Sequence, residues 1–336
     1  MTHPLQKLLD EKGVLLADGA TGTNLFAEGL EAGEAPEVWN FQHPDKIAAH
    51  HRKFVEAGAD IILTNSFGGT RQRLKLHNFQ DKVFETNKKA AEIARSVADA
   101  AGRKVIVAGS VGPTGELFEP LGALTHDDAV AAFREQIKGL KAGGIDVVWI
   151  ETMSAAEEMQ TASEAAIAEN MPFVYTGSFD TAGKTMMGLH PRDIHKVAGP
   201  LSEKPFAVGA NCGVGASDIL ASMLEMTDAA PDANIIVKGN CGIPEFRGSE
   251  IFYSGTPELM SEYARLAIDG GAKIIGGCCG TSYNHLAAMR KAIDGHVKRA
   301  RPTVEEVVEK IGPMRNKAAA EQGSEPKRER RGRRDA

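Results

Sequence analysis

Glu56-Ala57-Gly58-Ala59-Asp60, followed directly by Ile61-Ile62-Leu63, is the stretch that decides the fold. It reads as a helix end, a glycine suited to the left-handed C-cap conformation, and then a β-branched strand. The phrase returns as Lys141-Ala142-Gly143-Gly144-Ile145-Asp146 and as Asp269-Gly270-Gly271-Ala272-Lys273, each time ahead of an apolar run. Working outward, eight such runs can be marked: Val14–Ala17, Asp60–Leu63, Val105–Ala108, Val147–Ile150, Phe173–Tyr175, Ala207–Gly209, Ile235–Lys238 and Lys273–Ile275. Between most of them apolar residues recur at helical spacing, as in Asp45–Ala57, Asp81–Ala101, Asp127–Ala142, Ala155–Glu169, Ala216–Thr227 and Pro257–Asp269. The fifth unit is the weakest, with a short helix expected to begin near Pro191. Eightfold strand–helix alternation predicts a parallel sheet closed into a (β/α)8 TIM barrel, an open doubly wound sheet being the alternative.

The barrel domain is expected over residues 1–312. Residues 313–336 form a charged tail whose end, Pro326-Lys327-Arg328-Glu329-Arg330-Arg331, has no apolar residue to bury and is expected to be disordered. A length of 336 residues is ordinary for one α/β barrel. A net charge of −6, with two Trp and four Tyr, argues against nucleic acid as a partner. The N-terminus lacks a basic start followed by an apolar run, and no stretch approaches the roughly 20 apolar residues of a membrane span. A cytoplasmic protein is expected, with its cysteines reduced.

All four cysteines, Cys212, Cys241, Cys278 and Cys279, fall where strands end. In a barrel those ends form one face, and active sites of this fold lie there. The other polar strand-end groups are Asp18 to Thr23, Thr64-Asn65-Ser66, Ser110 and Glu151-Thr152. The adjacent Cys278-Cys279 is the sharpest signal. Neighbouring side chains of a regular strand point to opposite faces, so the backbone must leave strand geometry if both sulfurs are to reach one ion. Gly276, Gly277 and Gly280 flank the pair and permit that. A third thiolate would complete a three-ligand site with an open fourth position, the pattern of catalytic zinc. The plainer reading is two buried cysteines acting as small hydrophobes. Asn-Cys-Gly occurs twice, so Cys212 and Cys241 compete as third ligand, and a closed four-cysteine structural site is a further possibility.

The runs Asp18–Thr23 (DGATGT), Ile150–Thr152 (IET), Asn211–Gly213 (NCG) and Gly276–Gly280 (GGCCG) resemble the homocysteine S-methyltransferase family, zinc-dependent (β/α)8 barrels. The resemblance runs from about Gly13 to Ile293 and is nearest to the bacterial betaine–homocysteine methyltransferases. It implies Zn2+ ligation by Cys212, Cys278 and Cys279, with Cys241 a neighbour rather than a ligand. It also implies that homocysteine is the methyl acceptor, and that Asp18 and Glu151 hold its ammonium group while the Gly19 backbone approaches the amino acid.

The expected donor carries its methyl on a positive centre, as betaine does. Trp39 is a candidate cation–π face for it, with loop packing as its plainer role, and Phe67 is a candidate wall. The chain departs from the animal betaine enzymes by reading Phe67-Gly68 where they have phenylalanine–tyrosine. S-methylmethionine or another methylsulfonium is the alternative donor, and a zinc-stabilised binding protein is the non-enzyme alternative.

Overall fold

The computed structural model describes residues 3–315 apart from 243, 248 and 249, and the side chains of 244–247 and 250–252 are left out of the description. The end of the charged tail lies outside the described residues. The strands are β1 (Leu15–Leu16), β2 (Ile61–Leu63), β3 (Ile106–Val111), β4 (Val147–Met153), β5 (Phe173–Gly177), β6 (Val208–Cys212), β7 (Ile235–Gly239), β8 (Pro244–Arg247), β9 (Glu250–Tyr253) and β10 (Ile274–Gly277). Eight of them form one parallel sheet in the order β1-β10-β7-β6-β5-β4-β3-β2. A parallel bridge between Ala17 and Ile61 joins its two edges, reinforced by the Asp18 N–H on the Ile61 carbonyl at 3.0 Å. The sheet is therefore a closed TIM barrel, and each of the eight runs read from the sequence overlaps one of its strands.

Two apolar layers hold it. Inside the barrel, Leu15, Ile61, Ile106, Val147, Trp149, Val174, Ile236 and Ile274 pack together with Leu5, Leu8 and Leu9. The latter three belong to the helix Pro4–Lys12, which closes the N-terminal end of the barrel. Outside it, alternate strand residues such as Val107, Val148, Tyr175 and Val237 pack against the helices. Gly58 and Gly271 take φ of 101° and 103°, the left-handed geometry read from their phrases.

The fifth unit is short, as expected: a 3-10 helix, Pro191–Ala198, stands where an α-helix would be. One element was not anticipated. The hairpin β8–β9 is inserted after β7, ahead of the helix Pro257–Gly270. The helix Val304–Ile311 buries Val307 and Ile311, and Ser217 Oγ donates to the Gly312 carbonyl at 2.7 Å.

Candidate metal and substrate site

Strand periodicity builds the floor of the site. Inward positions recur every second residue, so Ile106 and Ala108 are followed by Ser110, Val147 and Trp149 by Glu151, Val174 by Thr176, and Ile236 by Lys238. The inner layer thus changes from apolar to polar toward the C-terminal ends of the strands. Ser110 Oγ donates to Glu151 Oε1 at 2.5 Å, and Thr176 Oγ1 donates to Asn211 Oδ1 at 2.6 Å. Lys238 Nζ meets Asp18 Oδ1 at 2.8 Å, while Asp18 Oδ2 accepts the Leu63 N–H at 2.7 Å.

The sequence reading did not single out Lys238. It lies on β7 facing two carboxylates, and only that contact separates it from a surface lysine in the sequence. Burial disfavours its charge, but Asp18 and Glu151 outweigh that and hold its pKa above the usual value. Burial also pushes Glu151 up to about 7, against the opposing effects of Lys238 and Ser110.

Above this floor the sulfurs of Cys212, Cys278 and Cys279 lie within 4.8 Å of one another. The backbone leaves strand geometry to bring them there, with φ of 59° at Cys212, 75° at Gly213 and 78° at Gly280. Thr152, a β-branched residue, is also held at φ 63°, an outlier that needs outside support. Asn211 supplies it: Oδ1 accepts the Thr152 N–H and Nδ2 donates to Thr152 Oγ1, both at 2.7 Å. Tyr253, at the end of β9, stands near Cys279, and burial followed by the charge of that thiolate pushes its pKa upward.

The donor set fits zinc. Three soft sulfurs converge, and their contacts oppose joint deprotonation: hydrogen bonds with Cys278 and Cys279 push the Cys212 thiol far upward. A dication held by these three thiolates would resolve that conflict. Cys241 is not part of the cluster among the described residues. It is fully buried in the core between strands and helices, and burial pushes its thiol up to about 12.

One expectation needs correction. Trp39 does not offer a face to a cationic donor. It is 3% exposed, packs with Leu25, Leu30, Ile47 and Ile93, and carries Lys46 Nζ 4.7 Å from its ring centroid. Its segment is locked to the end of β2 by Asn65 Nδ2, which donates to the Pro36 carbonyl at 2.7 Å. Gly19 is required by packing within the protein, since a Cβ there would lie 2.6 Å from the Thr281 carbonyl oxygen and 2.9 Å from the Phe54 ring. Phe67 is 37% exposed. Beside it, the Gly68 N–H donates to the buried Glu37 carboxylate at 2.6 Å, and a Cβ at 68 would stand 3.1 Å from that carboxylate. Glu37 thus takes the space next to the backbone where a tyrosine side chain would begin.

A family model described as Homocysteine S-methyltransferase matches residues 15–293. Among solved structures, the homocysteine methyltransferase MmuM from Escherichia coli in its metallated form aligns with a TM-score of 0.72 at 23% identity, over 86% of this chain and 99% of that one. Its oxidised form gives the same figures, and its apo form aligns with a TM-score of 0.66 at 22% identity over the same shares. These likenesses show the shared fold. With the family match spanning every strand of the barrel and the three-sulfur cluster at its mouth, the chain belongs to the homocysteine S-methyltransferase family.

Proposed function

We propose that this protein methylates homocysteine with betaine, giving methionine and dimethylglycine. The single observation that carries the reaction class is the three-sulfur cluster directly above a buried layer holding two carboxylates. Cys212, Cys278 and Cys279 would hold zinc, which as a Lewis acid would lower the pKa of a substrate thiol.

The remaining chemistry belongs to the chain's own groups. With Asp18 and Glu151 ionised and Lys238 protonated, the layer retains one negative charge to match one substrate ammonium, whose binding draws Glu151 into its carboxylate form. Glu151 is the direct partner in this reading, because both Asp18 oxygens already have partners and Glu151 has one hydrogen bond, from Ser110. The substrate then presents its sulfur to the cluster and its other face to the mouth. In the transfer a sulfur–methyl bond forms as the nitrogen–methyl bond breaks, and the bonding pair stays on nitrogen as a neutral amine. The thiol proton passes to solvent before that step, so no general acid is needed at nitrogen. Alignment of the two substrates supplies most of the acceleration.

Betaine is supported by the sequence resemblance, by the exposed Phe67 and by the Tyr253 phenol at the cluster, an aromatic group from an element other than the β2 loop. The burial of Trp39 removes one candidate aromatic face for either cation, and a methylsulfonium donor is the second reading. A donor panel with the zinc-loaded enzyme and homocysteine decides between them. Methionine is expected from betaine together with stoichiometric dimethylglycine, and turnover confined to S-methylmethionine would replace betaine with the sulfonium.

A further inference from the structure

Asn-Cys-Gly occurs at 211–213 and again at 240–242, yet only the first copy gives a sulfur to the cluster. The second copy's asparagine has a different placement. Asn240 is 2% exposed, and its amide bonds in two directions. Nδ2 donates to the Gly213 carbonyl at 2.9 Å, one residue beyond Cys212. Oδ1 accepts the Cys279 N–H at 3.1 Å. Rotating the amide by half a turn would set oxygen against oxygen and nitrogen against N–H, so the partners define its orientation.

The sheet order explains why this residue reaches both turns. β7 lies between β6 and β10, and Asn240 immediately follows β7. Two backbone bonds run beside it, from the Cys278 N–H to the Gly239 carbonyl at 2.7 Å and from the Cys241 N–H to the Cys279 carbonyl at 2.9 Å. Both of these attach the Cys278-Cys279 turn to β7. Gly213, by contrast, is joined to that turn through the Asn240 side chain. Strand register brings the starts of both turns to Gly239, which pairs with Cys212 on one side and Gly277 on the other. Beyond it the backbone is irregular, with positive φ at Cys212, Gly213 and Gly280, so strand geometry alone does not set how far apart the turns run.

We propose that Asn240 is a positioning residue of the metal centre, a cross-brace that sets the spacing of Cys212 from the Cys278-Cys279 pair. The proposal rests on the three-sulfur zinc reading. It assigns the second Asn-Cys-Gly a task that its cysteine does not perform. An asparagine that merely stabilises the fold would affect melting without altering the metal site.

The test compares Asn240→Ala, the near-isosteric Asn240→Asp and Cys241→Ala with wild type. Zinc affinity is measured by competition with a chromophoric chelator, thiolate-to-metal bands after cobalt(II) substitution, and melting in the metal-free proteins. Asn240→Asp keeps the acceptor for Cys279 but turns an oxygen toward the Gly213 carbonyl. Both Asn240 variants are expected to bind zinc about 10- to 100-fold more weakly, the usual effect of losing a group that orients metal ligands. Their cobalt bands are expected to shift, while Cys241→Ala retains wild-type affinity and spectrum. Wild-type affinity and cobalt bands in both Asn240 variants would overturn the brace. Failure of wild type itself to bind one zinc per chain would instead overturn the metal reading beneath it.

Discussion

Glu151 shows what one side chain controls. Burial holds its pKa at about 7, from an ordinary value of 4.5. The acid form is thus favoured in the folded, ligand-free protein, and its stability contribution is lost as pH rises from about 4.5 through about 7. A substrate ammonium needs the carboxylate, so the KM for homocysteine is expected to fall as pH rises through about 7. Glu151→Gln removes a hydrogen bond to a charged group, a loss of about 1.5–3 kcal/mol. KM should rise roughly 10- to 100-fold and lose its pH dependence over that interval, with zinc content unchanged; steady-state kinetics between pH 6 and 8 (about one unit either side) would expose an unaltered profile. Glu151 was legible from the strand-end position and the resemblance. Its partner Lys238 was not, because a lysine in a β-branched run is unremarkable until barrel closure places β7 opposite Asp18.

At the scale of elements, the two ends of the barrel divide the work between stability and chemistry. At the N-terminal end Asp60, fully buried, accepts the Leu16 N–H at 2.9 Å and pairs with Lys12 at 2.5 Å and Arg290 at 3.1 Å, with Arg103 at 3.9 Å. These contacts join the helices Pro4–Lys12 and Tyr283–Asp294 to the β1–β2 seam. Asp60→Ala leaves three cations around a buried gap. Breaking a buried pair costs about 3–5 kcal/mol, and the lower end applies because Lys12 is 38% exposed and screened by water. A lower melting temperature is expected with homocysteine KM unchanged in the folded enzyme, and a changed KM would contradict the division. The hairpin β8–β9 was not legible, since two short strands paired only with each other leave no trace in the eightfold alternation. The burial of Trp39 was equally hidden, because its packing partners lie on three separate helices and a loop.

For the whole molecule, the metal and the fold are expected to be separable. The barrel core consists of the two apolar layers, neither of which includes the clustered sulfurs. Zinc removal by a strong chelator should abolish turnover, recoverable on adding zinc, while the far-ultraviolet circular dichroism at room temperature stays that of a folded barrel. Unfolding on chelation would point to a structural metal instead. The sequence by itself determined the barrel, because strand–helix alternation and glycine caps are local, periodic properties that each unit repeats. It also determined that cysteines would gather at one mouth, since strand ends in a barrel share a face. Local spacing left the third ligand open and the family resemblance implied Cys212; only the tertiary structure supplies the physical reason for that choice. Cys212 and Cys241 have the same neighbours in sequence, and what separates them is backbone direction: φ 59° turns Cys212 toward the mouth, while Cys241 is enclosed by the core beneath the helices. That choice depends on contacts between strands distant along the chain, which no local pattern records.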